Sequence, residues 1–218
     1  MLRFAEEILL LLLHDENGRF ARVPESSLRY ALGGGVLMDL ALENRIDTDL
    51  TNLTLVDPTP LGDDLLDPVL ADIAEENQTR ETRYWLERSS ERAEEIRETA
   101  LARLVERGIL ERRDERFLWV FQSRRYPMID GEAEREVKLR IMGVLFSDEI
   151  PDPRDIVILC LADACGIFGE LLSGRELEQA ATRIEQVRKL DLIGQAVSKA
   201  IWNIESALAQ ADMPQVFY

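Results

Sequence analysis

Three consecutive glycines, Gly33 to Gly35, stand inside the apolar stretch from Leu28 to Leu42. Glycine costs a helix about 1 kcal/mol relative to alanine at each interior position, so a run of three needs a reason. A phosphate-binding loop is one candidate, but no strand pattern precedes the run, and Met38 stands where a dinucleotide fingerprint needs its third glycine. The other candidates are an emptied ligand position and a close helix contact. We expect the triplet to let this helix lie against the apolar segment 156–162.

Other residues with chemical potential lack the partners that a catalytic or metal site needs. The only histidine, His14, has no second histidine or cysteine near it, and we interpret Cys160 and Cys165 as reduced core thiols. Asp63 and Asp64 precede a predicted helix start, which is typical of a solvated turn. The chain also lacks the nucleophile-elbow, zinc-protease and P-loop motifs. We therefore predict no enzyme activity, no catalytic residue, no metal and no cofactor.

The chain is strongly acidic, with 42 acidic and 26 basic residues and a formal net charge of −16. Nucleic acid and anionic bilayers repel such a chain on average, so binding to either requires a local basic or apolar feature. The apolar run Ile8 to Leu13 is too short to cross a bilayer, which takes about 20 residues, and no signal-peptide pattern is present. These features predict a cytoplasmic protein.

Apolar residues recur at helical spacing along most of the chain, which predicts a mainly α protein. The predicted helical segments are 28–42, 65–74, 84–110, 137–146, 156–172, 177–190 and 192–209. Segment 155–162 is apolar on all sides, which predicts a central helix, and the run Ile8 to Leu13 predicts another buried one. No low-complexity linker divides the chain. We therefore expect a single globular domain over 1–218, with central hydrophobic helices and surrounding amphipathic ones.

A β-hairpin is predicted at 110–121, where charged residues separate two short segments rich in aromatic side chains. Phe117, Leu118 and Trp119 lie beside arginines there. This combination suits a membrane interface, a protein interface, or a half-buried hairpin that contacts neither. A weaker hairpin is predicted at 46–56. A helix followed by a hairpin also ends a winged-helix domain, but the helix before 110–121 mixes glutamates with its arginines, so we expect no nucleic acid binding.

Several of these motifs together resemble the Golgi phosphoprotein 3 family. The resemblance rests, in chain order, on 6–11 (EEILLL), 15–18 (DENG), 37–42 (LMDLAL) with Arg45-Ile46, 65–67 (LLD), 104–110 (LVERGIL) and Tyr126-Pro127. Each motif alone is ordinary for a helical protein, but their order spans most of the chain. The family has bacterial members, and we expect this chain to be one of them.

The resemblance implies one mainly helical domain with a projecting β-hairpin and without enzymatic activity. Eukaryotic members are peripheral membrane proteins that bind phosphatidylinositol 4-phosphate in a small basic pocket and push the hairpin toward the bilayer. The hairpin is also implicated in their self-association. Their basic amino-terminal tail, which engages coat proteins, has no counterpart ahead of Met1, so we expect no coat binding through it.

The family's headgroup residues carry over to this chain only in part. On the helix before the hairpin, one position of an arginine pair falls on Arg97 and the other on Glu94. The family's tryptophan position falls near Pro24, and an arginine position on the glycine-bearing helix falls on Gly33. Arg29, one helical turn before Gly33, is the residue that we expect to replace the missing charge.

The leading hypothesis is therefore a non-enzymatic peripheral membrane protein. It binds an anionic, phosphoinositide-like lipid headgroup through Arg97 and Arg29 and contacts the membrane through the 110–121 hairpin. The alternative is a soluble scaffold that forms a homo-oligomer through the same hairpin and has lost lipid binding. A winged-helix DNA binder is the third possibility.

Overall fold

The computed structural model describes residues 1–14, 18–49, 51–76, 78–117, 121–129 and 131–190, together with residues 195, 199 and 201. The fold is mainly α with a β-hairpin, as predicted. The helices are α1 (Phe4–Leu11), α2 (Glu25–Leu42), α3 (Asp67–Glu75), α4 (Thr82–Ser90), α5 (Ala93–Glu106), α6 (Glu132–Phe146), α7 (Pro153–Ala164), α8 (Phe168–Leu171) and α9 (Gly174–Val187). The strands are β1 (Leu13–His14), β2 (Arg19–Phe20), β3 (Ile46–Thr48), β4 (Asn52–Leu55), β5 (Arg80–Glu81), β6 (Arg113–Phe117) and β7 (Phe121–Arg125).

Two apolar helices, α1 and α7, form the centre of the core. Every residue of α1 is buried, because α2, α5, α6 and α7 pack around it. In α7 the residues from Ile156 to Ala162 are all buried, as the apolar sequence predicted. The helix begins with Pro153 at its first position, and the Asp152 side chain accepts a hydrogen bond from the Arg154 backbone N–H at 2.9 Å.

The segment 84–110, predicted as one helix, forms two helices that meet at Glu91 and Arg92. Two consecutive serines end α4. The Ser89 hydroxyl donates to the Trp85 carbonyl, and the Ser90 hydroxyl donates to the Glu87 carbonyl at 2.7 Å. Such bonds compete with the helical backbone pattern and are common where helices bend or end.

The glycine triplet lies in the middle of α2, and its close neighbours are not the predicted ones. A Cβ on Gly33 would lie 2.8 Å from the backbone nitrogen of Ser90 in α4. A Cβ on Gly35 would lie 3.2 Å from the Phe4 Cβ in α1. A close helix contact therefore exists, but at Gly33 and Gly35 it is made with α4 and α1 rather than with segment 156–162, whose helix also packs on α2.

The strands form small antiparallel units that follow helices. β3 and β4 pair with Ile46 opposite Leu55, which confirms the weaker predicted hairpin, and β5 adds a third strand beside β4. In the second hairpin, β6 and β7 pair from Arg113 opposite Arg125 to Phe117 opposite Phe121. The strands therefore reach Arg125, beyond the predicted bounds 110–121, because the turn falls between Phe117 and Phe121 rather than among the charged residues before Phe117.

Candidate functional site

Arg97, on α5, stands over an aromatic ring with little neutralising charge around it. Its guanidinium carbon lies 5.3 Å from the centre of the Phe20 ring, a cation–π contact. Its Nη1 is 4.0 Å from the Glu94 carboxylate, and Nε is buried without a hydrogen-bond partner within the described structure. This guanidinium is held in place by packing and keeps donors available for an anion.

Phe20 connects Arg97 to the base of the β6–β7 hairpin. Its ring lies 6.2 Å from that of Tyr126, the residue after β7. The backbone N–H of Tyr126 donates to the Gly18 carbonyl at 3.0 Å, and Gly18 has φ 64° with Pro127 against its α-carbon. A side chain at position 18 would clash with this contact, so glycine allows the turn before β2 to lie directly on the hairpin base.

Arg29 lies one turn into α2 with its side chain exposed. Its Nε donates to the carbonyl of Ser90, at the end of α4, over 3.3 Å. No carboxylate pairs with Arg29 among the described residues. The structure therefore holds Arg29 and Arg97 by different partners, Ser90 and Phe20, on either side of the junction between α4 and α5.

Other partly buried arginines are held by carboxylates at short range. Arg92 Nε lies 2.8 Å from Asp72 Oδ2, and Arg103 Nη1 lies 2.7 Å from Asp63 Oδ1. The hydrogen bond from Asp72 raises the pKa of Arg92 above its ordinary value. In a chain with a net charge of −16, Arg97 and Arg29 are therefore unusual in lacking such a close pair.

Comparison with known proteins decides the family. The model of the family Golgi phosphoprotein 3 (GPP34) matches residues 4–204. The chain belongs to the Golgi phosphoprotein 3 family. It is also similar to vacuolar protein sorting-associated protein 74 of Eremothecium gossypii, with 24% identity over 213 residues covering 82% of this chain. The match spans 63% of that relative's length.

The positions that carry the headgroup residues of the Golgi phosphoprotein 3 family have a clear structural setting here. Gly33 lies against the backbone of Ser90, which leaves no room for a larger side chain. Pro24 precedes the first residue of α2, and Glu94 is exposed beside Arg97. Of the positions named from the resemblance, Arg97 alone offers a cation.

The hairpin residues that we predicted to contact a membrane or another copy are at the turn between β6 and β7. Phe117 is the last residue of β6, and its backbone is paired with Phe121. Leu118 and Trp119 lie outside the described residues. Membrane contact and self-association through this hairpin stay predictions, as does the assignment of Arg97 and Arg29 to a headgroup.

The sequence analysis missed a group of buried acids, Glu6, Glu7 and Asp39, which we call the buried carboxylate cluster. These side chains are at most 2% exposed. Glu7 lies 3.0 Å from Arg140 Nη2 and 3.4 Å from Arg154 Nη2. The adjacent glutamates of α1 were the available signal, because an apolar helix predicted to be buried on all sides must bury them too.

Burial changes the acidity of this cluster. It raises the pKa of Asp39 to about 6, although the Phe4 N–H donates to this carboxylate at 2.8 Å and Arg154 and Arg3 lie nearby. Burial also raises the pKa of Glu7, against the opposing effect of its two arginines. The arrangement stabilises the amino-terminal end of α1 and is filled by arginines, so we assign it a structural role.

Asp63 was predicted to lie in a solvated turn, and this was wrong. Its carboxylate bridges Arg3 Nε at 2.9 Å and Arg103 Nη1 at 2.7 Å, and its side chain is only 10% exposed. Burial alone would raise the pKa of Asp63, but the hydrogen bond from Arg103 outweighs it and the pKa is lowered. Asp64 is exposed, as predicted, and contacts Arg103 at 3.0 Å.

The remaining candidate residues form no ligand set in the described part of the chain. Cys160 and Cys165 are both buried, in agreement with their interpretation as core thiols. No three histidine, cysteine or acidic side chains among the described residues are grouped so as to hold a metal ion. Of the helices that the structure describes, none has both the length and the apolar character needed to span a bilayer.

Proposed function

We propose that this chain is a non-enzymatic peripheral membrane module that binds an anionic lipid headgroup, of the phosphatidylinositol 4-phosphate type, through Arg97 with Arg29. The β6–β7 hairpin makes the accompanying membrane contact. The observation that carries the proposal is the packing of Arg97 on Phe20, which itself packs on Tyr126 at the hairpin base. A headgroup bound at Arg97 would therefore lie close to the segment that enters the bilayer surface. Membership of the Golgi phosphoprotein 3 family supports the same role.

A phosphate monoester is recognised by several charge-assisted donors, each stronger than a neutral hydrogen bond. Arg97 supplies a guanidinium whose only described carboxylate neighbour, Glu94, is 4.0 Å away. The Phe20 ring limits the freedom of this side chain, so less entropy is lost on binding. Arg29 is exposed and adds a second charge at the same end of α2. The long-range field of the acidic chain opposes binding, so affinity depends on these local donors and falls as salt screens them.

Vesicle flotation tests this function. We expect the chain to float with phosphatidylcholine vesicles that contain phosphatidylinositol 4-phosphate at about 50 mM NaCl, and to float less as salt rises. Arg97→Ala should weaken binding about tenfold or more, the cost of one charge-assisted contact. Trp119→Ala should weaken binding to all vesicles, because an indole at the interface is lost.

A matched control is Arg88→Ala, which removes an exposed arginine of α4 that pairs with Glu91 at 2.9 Å. This variant has the same change of net charge as Arg97→Ala, and we expect wild-type flotation. Vesicles with phosphatidylserine instead of the phosphoinositide separate headgroup recognition from general attraction to negative charge. Absence of flotation at low salt, or flotation that is the same in Arg97→Glu and Trp119→Ala as in wild type, would overturn the proposed function.

A further inference from the structure

Helix α6 carries an apolar stripe on its exposed side. Leu139, Met142 and Phe146 follow at intervals of three and four residues and therefore share one face of the helix. Leu139 is 64% exposed and Phe146 45%, and Ile150, just beyond the helix, is 93% exposed. The opposite face is buried in the core through Val137, Ile141, Val144 and Leu145. Contiguous exposed apolar side chains of this size usually mark an interaction surface.

Gly143 lies within this stripe, and packing inside the chain does not explain it. A Cβ at this position would have nothing within 4 Å, in contrast to Gly33 and Gly35, where neighbouring helices leave no room. A glycine inside a helix lowers stability by about 1 kcal/mol relative to alanine. Its benefit is a close approach of another backbone, here from outside the described chain, between the larger side chains of Leu139 and Phe146.

The two ends of the stripe carry opposite unpaired charges. Arg135 lies on the same face, two turns before Met142, and pairs with no carboxylate among the described residues. Asp148 and Glu149 follow the other end, and their carboxylates likewise pair with no described cation. Arg183 fixes this acidic end, because its Nε donates to the Val144 carbonyl at 3.0 Å and its Nη2 donates to the Glu149 carbonyl.

We propose that this face binds a second copy of the same chain, with the two α6 helices antiparallel and crossing at Gly143. A twofold axis through Gly143 places the apolar stripes against each other and brings Arg135 of each copy to the acidic end of the other. Arg135 lies about 12 Å along the helix axis from Gly143, so it reaches the segment that follows Phe146 in the antiparallel copy. One surface thereby satisfies itself twice, as a twofold interface requires.

The interface is small. A single helix pair with its adjoining loops buries less than the about 800 Å² per partner of a standard interface. The net charge of −16 on each copy also opposes association. We therefore expect a monomer–dimer equilibrium that depends on concentration, and not an obligate dimer.

Sedimentation velocity from about 1 to about 500 µM measures this equilibrium. We expect dimers to appear across this range in the wild type, and Leu139→Asp to raise the dimer Kd about tenfold or more, because the carboxylate would be buried without a partner. Val56→Asp is the matched control: Val56 is 59% exposed, lies after β4 and is not part of the stripe. This variant should dimerise like the wild type.

Gly143 gives a test that an unfolding artefact cannot imitate. Gly143→Ala should raise the Tm of the dilute monomer by about 2 to 4 °C, through better helix propensity, while it weakens the dimer. Gly143→Cys should form a disulfide-linked dimer on mild oxidation, because the same residue of both copies meets at the crossing. Val56→Cys should not, and the native cysteines are buried.

The charges give an independent arm. Arg135→Glu should weaken the dimer, and adding Glu149→Arg to it should restore association, because the exchanged pair is again complementary. A wild-type monomer throughout the concentration range overturns the proposal. So does a dimer that Leu139→Asp and Phe146→Asp leave intact, and so does one that only Trp119→Asp dissociates, which would assign association to the hairpin.

Discussion

Asp39 shows how one buried side chain links several parts of the protein. Its carboxylate accepts the backbone N–H of Phe4 at 2.8 Å and so caps the beginning of α1 from α2. Arg154 Nη1 lies 3.4 Å away and Arg3 Nη1 3.7 Å away. These partners do not fully offset the loss of hydration, because the pKa of Asp39 is still raised from 3.8 to about 6.

The raised pKa predicts a defined pH dependence of stability. Folded Asp39 binds its proton more tightly than the unfolded chain does, so its contribution to stability is complete below about pH 4 and is lost as pH rises through 6. Asp39→Asn has no such proton. We expect the free energy of unfolding of the wild type, relative to Asp39→Asn, to rise by about 2 kcal/mol between pH 7.5 and pH 4.5.

Urea denaturation of both proteins at several pH values measures this difference. The comparison removes the titration of all other acids, which is common to both proteins. A difference that stays constant, or that moves in favour of Asp39→Asn as pH falls, would contradict the raised pKa.

At the level of elements, the glycines of two helices have opposite reasons. In α2, Gly33 allows the helix to lie directly on the backbone of Ser89 and Ser90 at the end of α4. In α6, Gly143 faces open space. Sequence alone cannot separate the two cases, because both glycines interrupt an otherwise good helix and differ only in what lies opposite.

This contrast predicts opposite effects of the same substitution. Gly33→Ala should destabilise the protein by about 2 kcal/mol, because the rigid backbone of α4 must move away from the new methyl group. Gly143→Ala should stabilise the monomer by up to about 1 kcal/mol. Thermal or urea denaturation of the two variants at low protein concentration measures both effects, and equal signs would contradict this account.

Hydrophobic periodicity predicted α2, α3, α6, α7 and α9, because each has to bury one face or its whole circumference. It did not predict the division of 84–110 into α4 and α5, since apolar positions continue through the break and the cause is the local bonding of Ser89 and Ser90. The hairpin was predicted with its turn too early, because both the charged segment and the actual turn at 118–120 are compatible with a strand pattern.

For the molecule as a whole, Arg154 joins the two central helices to α2. From α7 its guanidinium contacts Glu7 and Asp39 at 3.4 Å and lies 4.1 Å from the centre of the Phe4 ring. It also donates to the Leu2 carbonyl. This single side chain therefore neutralises two buried acids that come from different helices.

Arg154→Met keeps the side-chain length but removes the charge. We expect it to lower the free energy of unfolding by about 3 to 5 kcal/mol, because buried carboxylates lose their cation. Arg88→Met, which breaks an exposed pair, should change it by less than about 0.5 kcal/mol. Urea denaturation at pH 7.5 distinguishes the two, and a loss below about 1 kcal/mol in Arg154→Met would mean that Arg140 and Arg3 neutralise the cluster without it.

The candidate site was only partly predictable. Arg97 and Arg29 were named from the resemblance and from helical spacing, but the contact that makes Arg97 distinctive comes from Phe20, which is 77 positions earlier in the chain. Nothing in the local sequence around either residue indicates that contact. The same holds for Tyr126, which meets Phe20 only after the hairpin has formed.

The sequence by itself determined the helical class, the buried character of α1 and α7, and the presence of two hairpins, because these depend on the periodicity of neighbouring residues. The tertiary structure decided which residues meet: Glu7 with Arg154, Gly33 with Ser90, Arg97 with Phe20. Such pairs are set by how whole helices pack, and local sequence carries no record of the distant partner. For that reason two adjacent glutamates, ordinary in sequence, became part of a buried cluster with arginines of α5, α6 and α7.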